Sequence, residues 1–214
     1  MKKVLVSFSR GVLFILCIGL FLAATTGKWA VASMKEAVDF DTLLEQPPEI
    51  GMHVKGDVMF AYDCIASEES YTQRSDGSRS RGKKTYEYYL LPAEGEFPFI
   101  VLKSFAEDSK RMEAIADETW NYMYGESEPT TRVSVEGVIS ALDPELEEYL
   151  NEYLVEVWEY SEEELANAEI LMIEQPASMS QMRGMFFAGI ACILLAVVWF
   201  VINLIRNSKS EKAE

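Results

Sequence analysis

The chain holds a single histidine, His53, and imidazole is the side chain most often used for general-base catalysis and metal ligation near neutral pH. No cysteine or second histidine stands near it, so it lacks the spacing of a metal site and is expected to be an ordinary residue at the start of a strand. The sequence has no P-loop, no G-x-G-x-x-G, no G-x-S-x-G and no H-E-x-x-H. Carboxylates are abundant, but Glu145, Glu147 and Glu148 and the run Glu162-Glu163-Glu164 fall at helix starts, where the macrodipole and solvent account for them. A calcium loop needs oxygens spaced around a glycine, and the one Asp-Gly pair, Asp76-Gly77, is surrounded by bases. The expectation is a chain with no catalytic residue, no metal and no cofactor.

Two patterns rise above this background. Arg74, Arg79, Arg81, Lys83 and Lys84 crowd one short stretch interrupted only by Asp76, a set able to hold phosphate or carboxylate groups of an envelope polymer, a lipid headgroup or an acidic neighbour. The competing explanation is a solvated loop tip. The second pattern is small residues at intervals of four, Gly19, Ala23 and Gly27 near one end and Gly184, Ala188 and Cys192 near the other, which would let two helices approach closely.

The elements that must carry these residues follow from the distribution of charge and apolarity. The net charge is −16, yet residues 33–182 alone hold 33 Asp+Glu against 11 Lys+Arg, a balance of −22, leaving +6 for the remainder. So acidic a middle argues against nucleic acid as its partner. The ends are apolar. Met185 to Ile205 is an uncharged run of 21 residues, about 31 Å of helix and enough to cross a bilayer. Gly11 to Gly27 is a shorter run between Arg10 and Lys28, with Trp29 suited to an interface. A cleaved signal peptide is the alternative for residues 1–32, with Ala30-Val31-Ala32 as its site, but Lys28 and Trp29 favour an uncleaved anchor. Lys2, Lys3 and Arg10 before the first span and Arg206, Lys209 and Lys212 after the second predict a cell-membrane protein with both termini cytoplasmic and the middle extracytoplasmic. Cys17 and Cys192 fall in the spans, so Cys64 has no disulfide partner in the exported segment and is expected to be buried as a small hydrophobe.

The resulting organisation is an anchor (1–32), a stalk (33–50), an exported domain (51–175), a tether (176–184), a second transmembrane helix (185–205) and a tail (206–214). Met34 to Leu44 reads as a short amphipathic helix ended by Pro47-Pro48. Met52 to Ile65 and Thr85 to Pro92 read as a long hairpin, with Phe97 to Phe105 as a third strand. Glu107 to Tyr124 has helical spacing, and Arg132 to Leu142 reads as a strand with a bulge past Gly137. Asp143-Pro144 starts a helix with Leu146, Leu150, Tyr153, Leu154 and Val157 as its apolar stripe; Ser161 and Glu164 form a capping-box pattern, and Ile170 to Ile173 a last strand. Trp120, Tyr122, Tyr124, Trp158 and Tyr160 read as core or interface aromatics. The order βββαβαβ predicts an α+β, mainly antiparallel domain, and a five-stranded OB-like barrel is one topology compatible with it.

Val54-Lys55-Gly56-Asp57-Val58, Tyr88-Tyr89-Leu90-Leu91-Pro92 and Val135-Glu136-Gly137-Val138-Ile139 resemble a family of uncharacterised two-span membrane proteins from Gram-positive bacteria. The resemblance implies no activity and no site residue. The functional expectation is a membrane-anchored extracytoplasmic binding or interaction module without catalysis, in contact with membrane lipid and with a protein partner through its spans or its exported domain. Its rivals are an envelope-associated hydrolase using clustered carboxylates and an accessory subunit of a membrane complex.

Overall fold

The computed structural model describes residues 9–95, 97–166 and 168–210, with the backbone alone for Lys209 and Ser210. Lys2, Lys3 and Lys212, three of the six bases used for orientation, lie outside the described residues. The chain divides into two compact units, one built from the terminal segments (1–34 and 177–214) and one from Lys35–Pro176.

The terminal unit is a pair of helices, α1 (Arg10–Ala32) and α5 (Met179–Ser210). Both are long and apolar enough to cross a membrane. Ser9 caps α1 by accepting from the Val12 amide at 3.3 Å. Because α5 begins at Met179, the stretch from Met179 to Gly184 is already helical, and the expected tether shrinks to the few residues around Pro176.

The central unit is α+β, a six-stranded mixed sheet with helices on both faces. Its elements are β1 (His53–Val58), β2 (Asp63–Ser70), β3 (Lys83–Pro92), β4 (Phe99–Phe105), α2 (Ser109–Met123), β5 (Val133–Ala141), α3 (Pro144–Trp158), α4 (Glu162–Leu165) and β6 (Leu171–Glu174). The strand order is β1-β5-β6-β4-β3-β2, antiparallel throughout except for the parallel pair β4–β6.

The expected long first strand is two strands. β1 pairs with β5 and β2 with β3, so the two stand at opposite ends of the strand order although only residues 59–62 separate them. Five residue steps reach at most about 18 Å, whereas the outer members of six flat strands would be about 24 Å apart. The sheet must therefore curl. The break is held by α2: the Ala61 amide donates to Thr119 Oγ1 (3.1 Å) and Trp120 Nε1 donates to the Tyr62 carbonyl (2.9 Å).

Alternation through the middle strands divides the core in two. Tyr89, Leu91, Ile100, Leu102, Leu171 and Ile173 pack with Met112 and Ile115 of α2 on one face. Leu90, Phe99, Val101 and Met172 pack with Leu146, Leu150 and Leu154 of α3 on the other. Strands covered on both faces read as unbroken apolar runs, as Tyr-Tyr-Leu-Leu and Phe-Ile-Val-Leu do.

Three local expectations change. The stalk is part of the domain, since Phe40 and Leu43 of a 3-10 turn (Phe40–Leu44) are buried in the first core and Val38 bridges to Val54. Gly137 marks no bulge: the β1–β5 register is unbroken across it, and a β-carbon there would collide with the Glu174 carbonyl of the neighbouring strand. The register shifts fall in β2 instead, between Cys64 and Ala66 and between Glu68 and Glu69. Val157 is exposed, because α3 turns Leu146, Leu150 and Leu154 inward and ends one residue later. Asp143 caps α3 by accepting from the Glu145 amide (3.0 Å), and the Ser161–Glu164 capping box is present.

Candidate functional site

The five bases do not form one set. β2 and β3 continue past Ser70 and Lys83 as an ordered finger: Arg74 N donates to Ser78 O (2.8 Å), Ser80 N to Thr72 O (2.9 Å), and Gln73 bridges to Arg79. Asp76 accepts from Ser78 N (2.9 Å) and Oγ (2.7 Å), which shapes the tip and lowers the Asp76 pKa. Every residue from 67 to 84 is exposed. The Arg79 guanidinium lies over the Tyr71 ring at 4.4 Å. Among the described residues, Arg74, Arg79, Arg81 and Lys83 have no acidic partner. Lys84 does: its ammonium bonds the carboxylate of Glu87, and that bond raises the Lys84 pKa.

Glu87 is buried on the α2 face of β3. Burial opposes its charge, but hydrogen bonds from Lys84 and from the Tyr89 hydroxyl (2.7 Å) hold its carboxyl below the usual range. Burial pushes the phenol of Tyr89 well up, with the Glu87 carboxylate adding to it. The neighbouring Cys64 thiol is half-buried, and burial raises its pKa too, so it is a poor nucleophile where it stands. His53 is buried in β1, with Nε2 3.2 Å from Glu136 Oε1 and Nδ1 without a partner.

The α3 face carries a groove of about 640 Å³ between β2, β3 and β4 and the first turn of α3. Tyr88, Leu142, Leu146, Tyr149 and Met172 give it an apolar floor and wall. Its charged lining is Glu68, Asp143, Glu145 and Glu174 against Lys103. Lys103 donates to Glu68 Oε2 at 2.9 Å and lies 4.3 Å over the Tyr86 ring, and the Tyr88 hydroxyl donates to the same Glu68 oxygen at 3.0 Å. The Lys103 bond holds the Glu68 carboxyl below its ordinary pKa. Glu174 accepts from Ser140 Oγ at 2.9 Å. The sequence marks Asp143, Glu145 and Leu146 as the start of a helix and Tyr88 as part of a strand, but it does not bring them together as a site. Glu68 and Lys103 are 35 positions apart and meet only because β2 and β4 flank β3; the one local hint is a lysine inside the apolar run of β4.

The aromatics form a chain across the second core. Trp158 contacts Tyr62 (5.0 Å), Phe99 (4.8 Å) and Trp120 (6.2 Å), and Tyr160 continues to Phe97. Tyr122 and Tyr124 are exposed at the end of α2.

In the helical unit, Gly19 faces Gly189: a β-carbon on Gly19 would stand 2.7 Å from the Gly189 carbonyl oxygen. Gly11 lies against Trp199 and Gly27 against Phe186, so the helices run antiparallel. Ala23 is also at this seam, its amide 3.0 Å from where a β-carbon on Gly189 would stand. On α5 the seam holds Gly189 and Ala196, seven residues apart, with Cys192 half-buried beside them. Gly184 and Ala188 are exposed, and a β-carbon on Gly184 would meet nothing within 4 Å.

A family model described as a domain of unknown function, DUF8577, matches residues 2–206. The chain belongs to the DUF8577 family. No curated protein and no solved structure matches it.

Proposed function

We propose that this DUF8577 protein is a membrane-anchored interaction module, with α1 and α5 spanning the cell membrane in contact with lipid, both termini cytoplasmic, and Lys35–Pro176 extracytoplasmic. The sheet is read as an OB-type barrel. A first strand split into β1 and β2, one half pairing with β5 and the other with β3, supports that reading, as do the parallel β4–β6 pair and a helix between β4 and β5. OB barrels take ligands on the face of their second and third strands and on the loop after the first. Those positions correspond here to β3, β4 and the basic finger.

The observation that carries the reading is that finger, an ordered ribbon bearing four bases without acidic partners among the described residues, on a domain whose charge is otherwise strongly acidic. In the groove, the Glu68 carboxylate is bonded to both Lys103 and Tyr88, and its lowered pKa suits a fixed hydrogen-bond acceptor.

Two measurements test it. In whole cells, single cysteines placed at Ser78 and Ser210 of a cysteine-free chain should react with an impermeant reagent at Ser78 alone; reaction at Ser210 alone overturns the topology. In membranes, a photo-crosslinking residue replacing Tyr149 should give adducts that one replacing Lys110 does not. Equal yields from the two positions would remove the groove from the proposal.

A further inference from the structure

The groove and the finger are complementary in charge. Four acids less one base give the groove a net −3, and Arg74, Arg79, Arg81 and Lys83 less Asp76 give the finger, taken as residues 70–83, a net +3, leaving out Lys84, which Glu87 already neutralises. We infer that the groove receives the basic finger of a second copy of the chain. The inference rests on the interaction-module reading and names the partner of its groove.

The finger has a physical reason to seek a surface. A two-stranded ribbon exposed on both faces is only marginally stable in water, and this one is exposed along its whole length from residue 70 to 83. Docking would cover one face. The Tyr71–Arg79 stack offers a flat aromatic and cationic plate, and the groove offers Tyr88, Tyr149 and Leu146 for its apolar part and Glu145 for its guanidinium. Arginine suits this role, since its planar fork bonds a carboxylate through two parallel N–H groups. A volume of about 640 Å³ lies in the range that holds a small ligand or a few side chains.

A chain cannot fill its own groove with its own finger. Ala66, Ser67 and Glu68 line the groove, and the finger leaves β2 at Ser70 along the same strand, pointing away from it. Two copies related by a two-fold axis exchange fingers, and both contacts are made at once. An anionic lipid surface fits less well: it could pair with the finger but offers no cation to the acidic groove, whereas a second copy pairs both. Repulsion between two segments of net −22 is screened beyond about 8 Å at physiological salt, while the finger–groove contact is at bonding distance.

The experiment uses the full chain in mild detergent, co-expressed in two differently tagged forms, with a photo-crosslinking residue replacing Tyr149 in one. The expected adduct joins the two tags and contains a peptide from residues 71–84 of the other copy. Its yield should fall about fivefold or more when salt is raised to about 0.5 M, because exposed charge pairs are then screened within a few ångströms. It should fall likewise in the Arg79→Glu, Arg81→Glu variant and recover when Glu145→Arg is added to the photo-reactive copy. An adduct with the finger that is unaffected by the Arg79→Glu, Arg81→Glu change overturns the inference. Adducts only with lipid or with another protein also overturn it and leave the interaction module standing, whereas no adduct at all overturns it and removes the groove from the interaction module.

Discussion

Glu118 and Thr131 are joined at two points, and the bond to the preceding residue makes a third: the Glu118 carboxylate accepts from the Thr131 amide (2.8 Å) and hydroxyl (2.6 Å), and from the Thr130 amide (2.6 Å). These bonds tie the middle of α2 to the chain entering β5. They also hold the carboxyl down at about 2, with the Thr131 hydroxyl as the largest cause.

A carboxyl depressed in the folded state adds stability that is complete above its ordinary pKa and is lost as pH falls toward the folded value. For Glu118 the window runs from 4.5 down to about 2. The melting temperature of the wild type should therefore fall more steeply across that window than that of Glu118→Gln, and the two curves should be offset but parallel above about pH 5. Parallel curves across the whole range would show that the three bonds add nothing in solution.

Gly137 gives a second test, because its place in β5 is set by contact and not by turn geometry. A β-carbon there meets the Glu174 carbonyl and stands 2.9 Å from Ile173 Cγ2, in the register that joins β5 to β6. Gly137→Ala should destabilise the unit by about 1–3 kcal/mol, the range for forcing extra atoms into a packed interior. Unfolding monitored by tryptophan fluorescence measures it. An unchanged midpoint would mean that β6 does not lie against β5 as described.

The contrast between what was legible in the sequence and what was not has a physical pattern. Strands such as Tyr88–Leu91 and helices such as α3, with Asp143-Pro144 at its start, announce themselves because alternation, periodicity and caps are local. The split of Met52–Ile65 was hidden, since what breaks it is Thr119 and Trp120, far along the chain and bonded to Ala61 and Tyr62. The groove was hidden for the same reason: Glu68, Tyr88 and Lys103 belong to three strands. The basic cluster was visible as composition, but its division was not, because Lys84 is taken up by Glu87 through a side chain buried on β3. Likewise the four-residue stripe on α5 suggested Gly184 and Ala188, while the helix pair turns Gly189 and Ala196 inward, a seam spaced by sevens.

Glu159 stands at φ 59°, the one described non-glycine residue in the left-handed region, where it ends α3. Glycine adopts that conformation without the β-carbon penalty and is the usual residue at such a helix end. Glu159→Gly should stabilise the unit by about 0.5–1 kcal/mol, and Glu159→Val should lower stability, since a branched side chain tolerates positive φ least. Chemical denaturation of the two variants beside the wild type measures both signs. A loss of stability in Glu159→Gly would mean that the side chain contributes more than the strained backbone costs.

The last expectation concerns the helix pair. Gly19 and Gly189 approach so closely that a β-carbon on either would stand within 3.0 Å of the other's carbonyl oxygen. In a lipid environment such packing has little hydrophobic drive behind it, so close approach at small residues carries much of the association. Gly189→Leu should therefore separate the helices, whereas Gly184→Leu, placed where a β-carbon meets nothing within 4 Å, should leave the pair intact. Thiol crosslinking reads this out: with the native cysteines replaced, cysteines at Gly11 and Trp199, whose ring tip fills the gap between the two backbones, should be joined by a short bifunctional thiol reagent, as should cysteines at Gly27 and Phe186, while Gly11 with Phe186 should not. Adding Gly189→Leu should reduce both productive yields by an order of magnitude or so, given that about 1.4 kcal/mol of packing is a tenfold change in population. Equal loss from Gly184→Leu would place the seam on the other face of α5 and restore the stripe of Gly184, Ala188 and Cys192 as the contact.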